Sequence, residues 1–307
     1  MAHRPPAERE VLSEDQVTFY EQNGYVVLER WLPDTVVADC KAELDRFRDL
    51  ARGLTESTDT LDLEDSHTPD DPRLRRVKLP HTQSAVMNAL MRSDKLLAPV
   101  RDLVGPDVRL HTSKLNVKSA RYGAPVDWHQ DFAFYPHTND DLLAVGVMLD
   151  DVDEENGPLM VFPGSHKTQI FNHHANGVFA GTMDLQACGL DMKDAVKLMA
   201  PAGSISIHHA RIVHGSATNR SPRDRGVIFY EMMAADAFPI LGSMTKADSI
   251  EEYNERMLCG SPTMEPRLEA VPVRVPQPQP ARSGSIYEVQ KAATKRGFED
   301  VAAAAPV

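Results

Sequence analysis

Apolar positions recur along this chain at two periods, about every 3.6 residues in the first third and every second residue after it. Residues 1–12 are polar, contain prolines and are expected to be loose as far as Ser13. The pattern Ser13-x-x-Gln16 reads as a capping box, so a helix is predicted to run to about Asn23 and to stop at Gly24. The segment YVVLE from Tyr25 to Glu29 then reads as a strand. Pro33–Asp34 opens a second helix, predicted to about Arg52, whose buried stripe would be Val36, Val37, Cys40, Leu44, Phe47 and Leu50. From Thr55 to Arg73 the acidic and turn-forming run TESTDTLDLEDSHTPDDPR has little periodicity and predicts a loop of the kind that often serves as a lid. Helical spacing returns around Ser84–Leu103 and ends at the turn Gly105–Asp107.

Beyond that turn the period is two. Candidate strands are Val108–Lys118, Leu142–Asp150, Leu159–Phe162, Ser204–His208 and Val227–Met232, punctuated by turns such as Asn156–Gly157 and Pro163–Gly164. Many short strands after a helical start predict a mainly β fold, a sandwich or jelly roll with the N-terminal helices packed on one sheet. From about Glu265 the text turns to Pro, Gln and Ala, including VPVRVPQPQPARSG. A single domain over 13–264 is therefore expected, with an extended tail over 265–307 and disorder over 301–307.

Composition narrows the function classes. With 42% hydrophobic and 25% charged residues in 307, the chain can bury one main core. No apolar run reaches the roughly 18 residues of a membrane span, and the start MAHRPPAERE lacks a secretory pattern, so a cytoplasmic protein is expected. Cys40, Cys188 and Cys259 lie far apart and read as small hydrophobes rather than as a disulfide or zinc framework. The net charge of -12 argues against nucleic acid as a partner, and self-association is left open.

The segment DWHQDFAFYPHT, from Asp127 to Thr138, carries the first chemistry. If it is extended, His129 and Asp131 project from one face. Ferrous iron in oxygenases takes two imidazoles and one carboxylate on one octahedral face, leaving three positions for a keto acid and dioxygen. His208, His209 and His214 are the late candidates for the second imidazole. His214 is chosen because Gly215 and Ser216 follow it and, eleven residues on, Arg225 heads the apolar run GVIFYEM. A guanidinium fork suits the distal carboxylate of a dicarboxylic keto acid. His214 is expected to end one strand and Arg225 to begin its hairpin neighbour, with His208 and His209 in the core or beside the site. Phe132, Phe134 and Tyr135 would line an apolar pocket or the core. Thr168–Met199 is the expected substrate-covering segment.

Taken together, EDQVTFYEQNGYVVLERWL, the W-H-Q-D of Trp128–Asp131, Glu155-Asn156-Gly157-Pro158-Leu159, Pro163-Gly164-Ser165-His166-Lys167 and the H-G-S-x-x-N-x-S of His214–Ser221 ahead of Arg225 resemble the phytanoyl-CoA dioxygenase family. The resemblance runs from about Leu12 to about Phe238. It implies a double-stranded β-helix and an Fe(II)- and 2-oxoglutarate-dependent dioxygenase with His129, Asp131 and His214 as iron ligands. It further implies that Arg225 binds the far carboxylate of 2-oxoglutarate, that Ser216 stands beside that carboxylate, and that Lys78 and Lys114 fall near positions lining the co-substrate pocket. Asn116, on the same strand face as Lys114, and Thr138, at the end of the metal segment, are taken as further co-substrate contacts. With O2, such an enzyme converts 2-oxoglutarate to succinate and carbon dioxide while hydroxylating a C–H bond of a small-molecule metabolite or natural product. The carboxylate at Asp131 disfavours the related halogenases. The rival readings are a non-oxidative zinc isomerase or hydrolase and a non-catalytic binding jelly roll.

Overall fold

The computed structural model describes residues 9–242, 247–281, 284–293 and 295–298; the expected disorder over 301–307 and most of the expected loose N-terminus lie outside them. The Ser13 hydroxyl accepts from the Gln16 amide and the Gln16 side chain accepts from the Ser13 amide, closing the capping box on α1 (Glu14–Asn23). Gly24, at φ 80°, ends it and releases β1 (Tyr25–Leu28). Helix α2 (Asp34–Ala51) buries Val37, Cys40, Leu44 and Phe47, whereas Leu50 of the predicted stripe is 54% exposed.

The 55–73 run is not wholly a loop. β2 (Leu61–Leu63) pairs antiparallel with β3 (Leu74–Lys78). Acidic residues in and beside β2 hid this hairpin from the sequence reading, because here they are buried against arginines. Glu64 meets Arg75 at 2.9 Å with side chains only 3% and 7% exposed, and Asp62 meets Arg76 at 2.8 Å. Three helices follow: α3 (Pro80–Gln83), α4 (Ala85–Met91) and α5 (Asp94–Val104).

The remaining strands are β4 (Val108–Lys118), β5 (Val126–His129), β6 (Leu142–Met148), β7 (Leu159–Val161), the short β8 (His174–Ala175) and β9 (Val178–Phe179), β10 (Val196–Leu198), β11 (Ile205–His209), β12 (His214–Ser216), β13 (Arg225–Ala234) and β14 (Met257–Cys259). The major sheet runs β1-β11-β6-β13-β4-β3-β2 with β14 also on β4, and the minor sheet runs β10-β7-β12-β5. All pairings are antiparallel, giving a double-stranded β-helix, or jelly roll. Alternation assigns the two faces of the major sheet. Leu115, Val117, Val145, Val147, Ile205, Ile207, Ile228 and Tyr230 join one core with Leu44 and Phe47 of α2. Their neighbours in sequence, Ala144, Met148, Val227 and Phe229, form a separate apolar wall on the other face.

The segment after 265 folds back on the domain. Its helix α7 (Ile286–Gln290) packs on β5. Gln290 accepts from the Asp127 amide at 3.0 Å and donates to the Asp127 and Gly181 carbonyls. Phe298 stacks on Trp128 with ring centroids 5.3 Å apart. Helix α6 (Ile250–Glu255) completes the elements, and no helix among the described residues is long and apolar enough to cross a membrane.

Burial leaves a pH signature. It pulls the pKa of His81 and of His137 down to about 4, and that of His173 to about 3. Unfolded histidine titrates near 6.5, so these rings are neutral in the fold and take up protons more readily in the unfolded chain. Their stabilising contribution is therefore whole above about pH 6.5 and is lost as pH falls towards those folded values. We expect the urea-unfolding free energy to fall below pH 6.5 by up to roughly 1.4 kcal/mol per pH unit for each such ring. Replacing His81 with glutamine should lower that slope. A flat profile between pH 6.5 and 5 would show that the rings charge without penalty.

Candidate metal and co-substrate site

Strand β5 ends at His129, β12 opens at His214, and the ladder places these two residues directly opposite each other, with ring centroids 4.1 Å apart. Gln130 keeps the extended geometry for one more residue, at φ −119° and ψ 126°, before the chain turns into a short 3-10 helix at Asp131–Ala133. The alternation that was read as a strand thus lasts just long enough. The Gln130 side chain points away, accepting from the Phe171 amide and donating to the Arg211 carbonyl, while Asp131 returns to the His129 side. Each histidine engages its own backbone through Nδ1, His129 to the Asp127 carbonyl at 2.7 Å and His214 to the Ile212 carbonyl at 3.0 Å. That leaves both Nε2 atoms facing Asp131, at 3.5 and 3.8 Å from its carboxylate. The three ligand atoms lie within 4.8 Å of one another, and all three residues are buried. Two backbone-oriented imidazoles and one carboxylate on one side fit ferrous iron.

Burial works against charge on Asp131, but Lys114, then His214, then hydrogen bonding to His129 hold its carboxyl well below the usual range. Burial also drives the pKa of His214 far down, favouring the neutral ring that a metal needs. Lys114 stays a cation despite burial because Glu231, 2.7 Å from its Nζ, and Asp131 raise its pKa.

Behind the triad an inner cavity is lined by inward-facing residues of both sheets. Lys114, Asn116 and Lys118 come from β4, Arg225, Val227 and Phe229 from β13, and Ser216 from β12. Arg225 donates to the carbonyls of Asn156 and Gly157, and among the described residues no carboxylate forms an ion pair with it. Burial pulls its pKa only to about 10, so it is a cation at neutral pH. A buried guanidinium without an anion is costly, and the cavity it faces is where a carboxylate would compensate it. Gly157 holds φ +73° there, and a Cβ would come 2.5 Å from the Ala217 carbonyl oxygen, so glycine is required.

The expected hairpin between His214 and Arg225 does not form. His214 opens β12 in the minor sheet rather than ending a strand, and Arg225 opens β13 in the major sheet. Between them the chain crosses from one sheet to the other, pinned by Asn219, whose side chain donates to the carbonyls of Lys118 and Arg223. His214 and Arg225 consequently line one cavity from different sheets. Lys78 lies outside the inner cavity. It pairs with Asp62 at 2.8 Å and sits on an outer cleft with Arg76, Lys114, Asp131, Phe134, Tyr135 and Glu231. Thr138 is on neither cavity: its amide donates to the Phe238 carbonyl and its hydroxyl accepts from the Phe238 amide. Phe132 is core, while Phe134 and Tyr135 reach the outer cleft.

That cleft is also lined by Leu241–Gly242 and by the tail, including Gln277, Ser285 and Val289, and not by Thr168–Met199. The latter instead braces the metal strand, with His173 accepting from the Gln130 amide at 3.0 Å. Sequence reasoning passed over Lys118, which is buried with its Nζ donating to the Ala124 and Ala217 carbonyls, and Glu231, which accepts from the Tyr135 hydroxyl at 2.8 Å. Extending the alternation from Lys114 and Asn116 to Lys118, and from Arg225 to Glu231, is the signal that finds both.

A jelly roll with a buried two-histidine, one-aspartate face and an unpaired arginine across the same cavity defines a mononuclear non-haem iron, 2-oxoglutarate-dependent dioxygenase. Residues 20–227 match the family described as phytanoyl-CoA dioxygenase (PhyH), and the chain belongs to that family. It is 35% identical over 288 residues to a probable alpha-ketoglutarate-dependent hypophosphite dioxygenase of Stutzerimonas stutzeri, covering 92% of this chain and 99% of that one. It is 30% identical over 238 residues to an ectoine dioxygenase of Bordetella parapertussis, covering 72% of this chain and 75% of the relative. Among solved structures, EctD from S. alaskensis with 2-oxoglutarate and 5-hydroxyectoine superposes with a TM-score of 0.63 at 26% identity, covering 89% of this chain and 93% of that one.

Proposed function

We propose that the enzyme hydroxylates a C–H bond of a small polar metabolite, consuming one O2 and one 2-oxoglutarate and releasing one succinate and one CO2 per hydroxyl group formed. The observation that carries this reading is the position of the triad between two spaces. His129 and His214 face the inner cavity that ends at Arg225, Asp131 faces the outer cleft, and Lys114 borders both. In this reading His129, Asp131 and His214 hold the iron, which when bound supplies the activation of dioxygen. Arg225 and the Ser216 hydroxyl hold the far carboxylate of 2-oxoglutarate, and Ala144, Met148, Val227 and Phe229 exclude water beside it. Lys114, paired with Glu231, holds the Asp131 carboxyl in its charged form, so the donor set stays anionic while the substrate is presented.

The cleft supports a polar substrate because it carries charge of both signs, Arg76, Lys78 and Lys114 against Asp131 and Glu231. A second reading follows from the relative matched over 99% of its length: the bond oxidised is the P–H of hypophosphite, giving phosphite. A zinc hydrolase or a binding jelly roll leaves the buried Arg225 without a purpose. Anaerobically purified protein should be given ferrous iron, 2-oxoglutarate and air with hypophosphite, ectoine and free amino acids in turn, and succinate measured. One candidate is expected to raise succinate in proportion to a product carrying one oxygen atom from labelled O2. Phosphite from hypophosphite selects the second reading. Metal-dependent turnover without succinate would sink both.

A further inference from the structure

We propose that His208 is a co-substrate-binding residue, donating a hydrogen bond from its ring to the metal-proximal carboxylate of 2-oxoglutarate. The proposal rests on the co-substrate reading above and adds a residue to it. His208 sits on β11, where alternation turns it and Ser206 into the inner cavity, opposite Ala144 of β6. It is 1% exposed, and neither of its ring nitrogens has a hydrogen-bond partner. Nε2 stands 3.7 Å from the Asp131 carboxylate, beyond ordinary hydrogen-bond reach, and the ring centroid lies 4.7 Å from that of His214.

Its sequence neighbour shows the contrast. His209 accepts the Arg211 amide on Nδ1 and its Nε2 lies 3.9 Å from Asp140. A buried imidazole with two unmet nitrogens is destabilising, and nothing in the surrounding apolar wall relieves it. The cavity presents two such demands: an uncompensated cation at Arg225 and an unmet N–H at His208 beside the metal ligands. A five-carbon dicarboxylate has an acidic group at each end and answers both. The three ligand atoms already lie within 4.8 Å of one another without His208, so a fourth ligand is not needed to complete the face. A neutral ring suffices, because it carries one N–H whichever tautomer is adopted.

The test is binding without turnover. Iron-loaded wild type, His208→Phe and His208→Gln are titrated anaerobically with 2-oxoglutarate by calorimetry, and the visible charge-transfer band of the ferrous keto-acid complex is recorded. Ferrous affinity is measured separately. The phenylalanine variant is expected to bind 2-oxoglutarate about 10-fold more weakly or worse, the scale of one hydrogen bond to a charged group. Glutamine, which restores an N–H, should recover most of the loss, and ferrous affinity should stay within about twofold, well inside one unit of logK. If the larger ring does not fold, His208→Leu takes its place. Unchanged 2-oxoglutarate binding in the phenylalanine variant would reduce His208 to packing. A parallel loss of iron would make it a ligand; either result overturns the proposal. Failure of wild type to bind 2-oxoglutarate would instead remove the functional reading beneath it.

Discussion

Asp131→Ala is expected to abolish succinate production and to weaken ferrous binding by well over about 100-fold, since loss of even an outer partner of a metal ligand costs 10–100-fold. Asp131 supplies the only carboxylate of the buried triad, and its charge is held in place by Lys114 and the surrounding histidines. Alanine leaves two imidazoles, too few to keep the metal on one face. The fold should survive. His129 and His214 are fixed by the carbonyls of Asp127 and Ile212 rather than by Asp131, and Lys114 retains Glu231 at 2.7 Å. The second readout is thermal. Wild type should gain about 2.7 kcal/mol of stability at a ferrous concentration 100 times its Kd, and the variant less than about 0.4 kcal/mol at the same concentration. Iron-dependent stabilisation equal to that of wild type would show that the metal sits elsewhere.

How much of this site the sequence discloses depends on how local each feature is. His129-x-Asp131 was legible because convergence needs only three extended residues, and the chain supplies them before turning at Asp131. The capping box at Ser13 and the full length of β4 were legible for the same reason. The hairpin of β2 and β3 was not, because the acidic residues that suggested solvent are partners of Arg75 and Arg76, and a pairing of that kind is invisible until both strands are placed. Whether His214 and Arg225 share a sheet was decided by the crossing at Asn219, a side chain bonding backbone a hundred residues away. The tail concealed most. Tyr287 on the inner cavity and Phe298 on Trp128 come after the Pro-rich run, in a short stretch that shows too few apolar positions to reveal a period.

Arg225→Ala is expected to raise the 2-oxoglutarate concentration needed for half-maximal binding by roughly 100-fold, since truncating one partner of a buried charge pair costs about 2–5 kcal/mol. Iron affinity should change little, because Arg225 touches the Asn156 and Gly157 carbonyls and none of the three ligands. Arg225→Lys separates charge from shape. It keeps a cation in the cavity but loses the planar fork, so its affinity should fall between wild type and alanine. Because the wild-type pKa is pulled only to about 10, the arginine itself should leave 2-oxoglutarate binding constant between pH 6.5 and 8.5. The lysine variant should lose affinity earlier on the alkaline side, since burial lowers a lysine further; the residue opposite Arg225 in the ladder shows it, Lys118 being driven well below its usual value by burial and by Arg225. Equal losses of iron and 2-oxoglutarate in the alanine variant would mean that Arg225 supports the cavity wall through Gly157 rather than clamping a carboxylate. The two roles separate cleanly because the wall is shared by both ligands and the clamp by one.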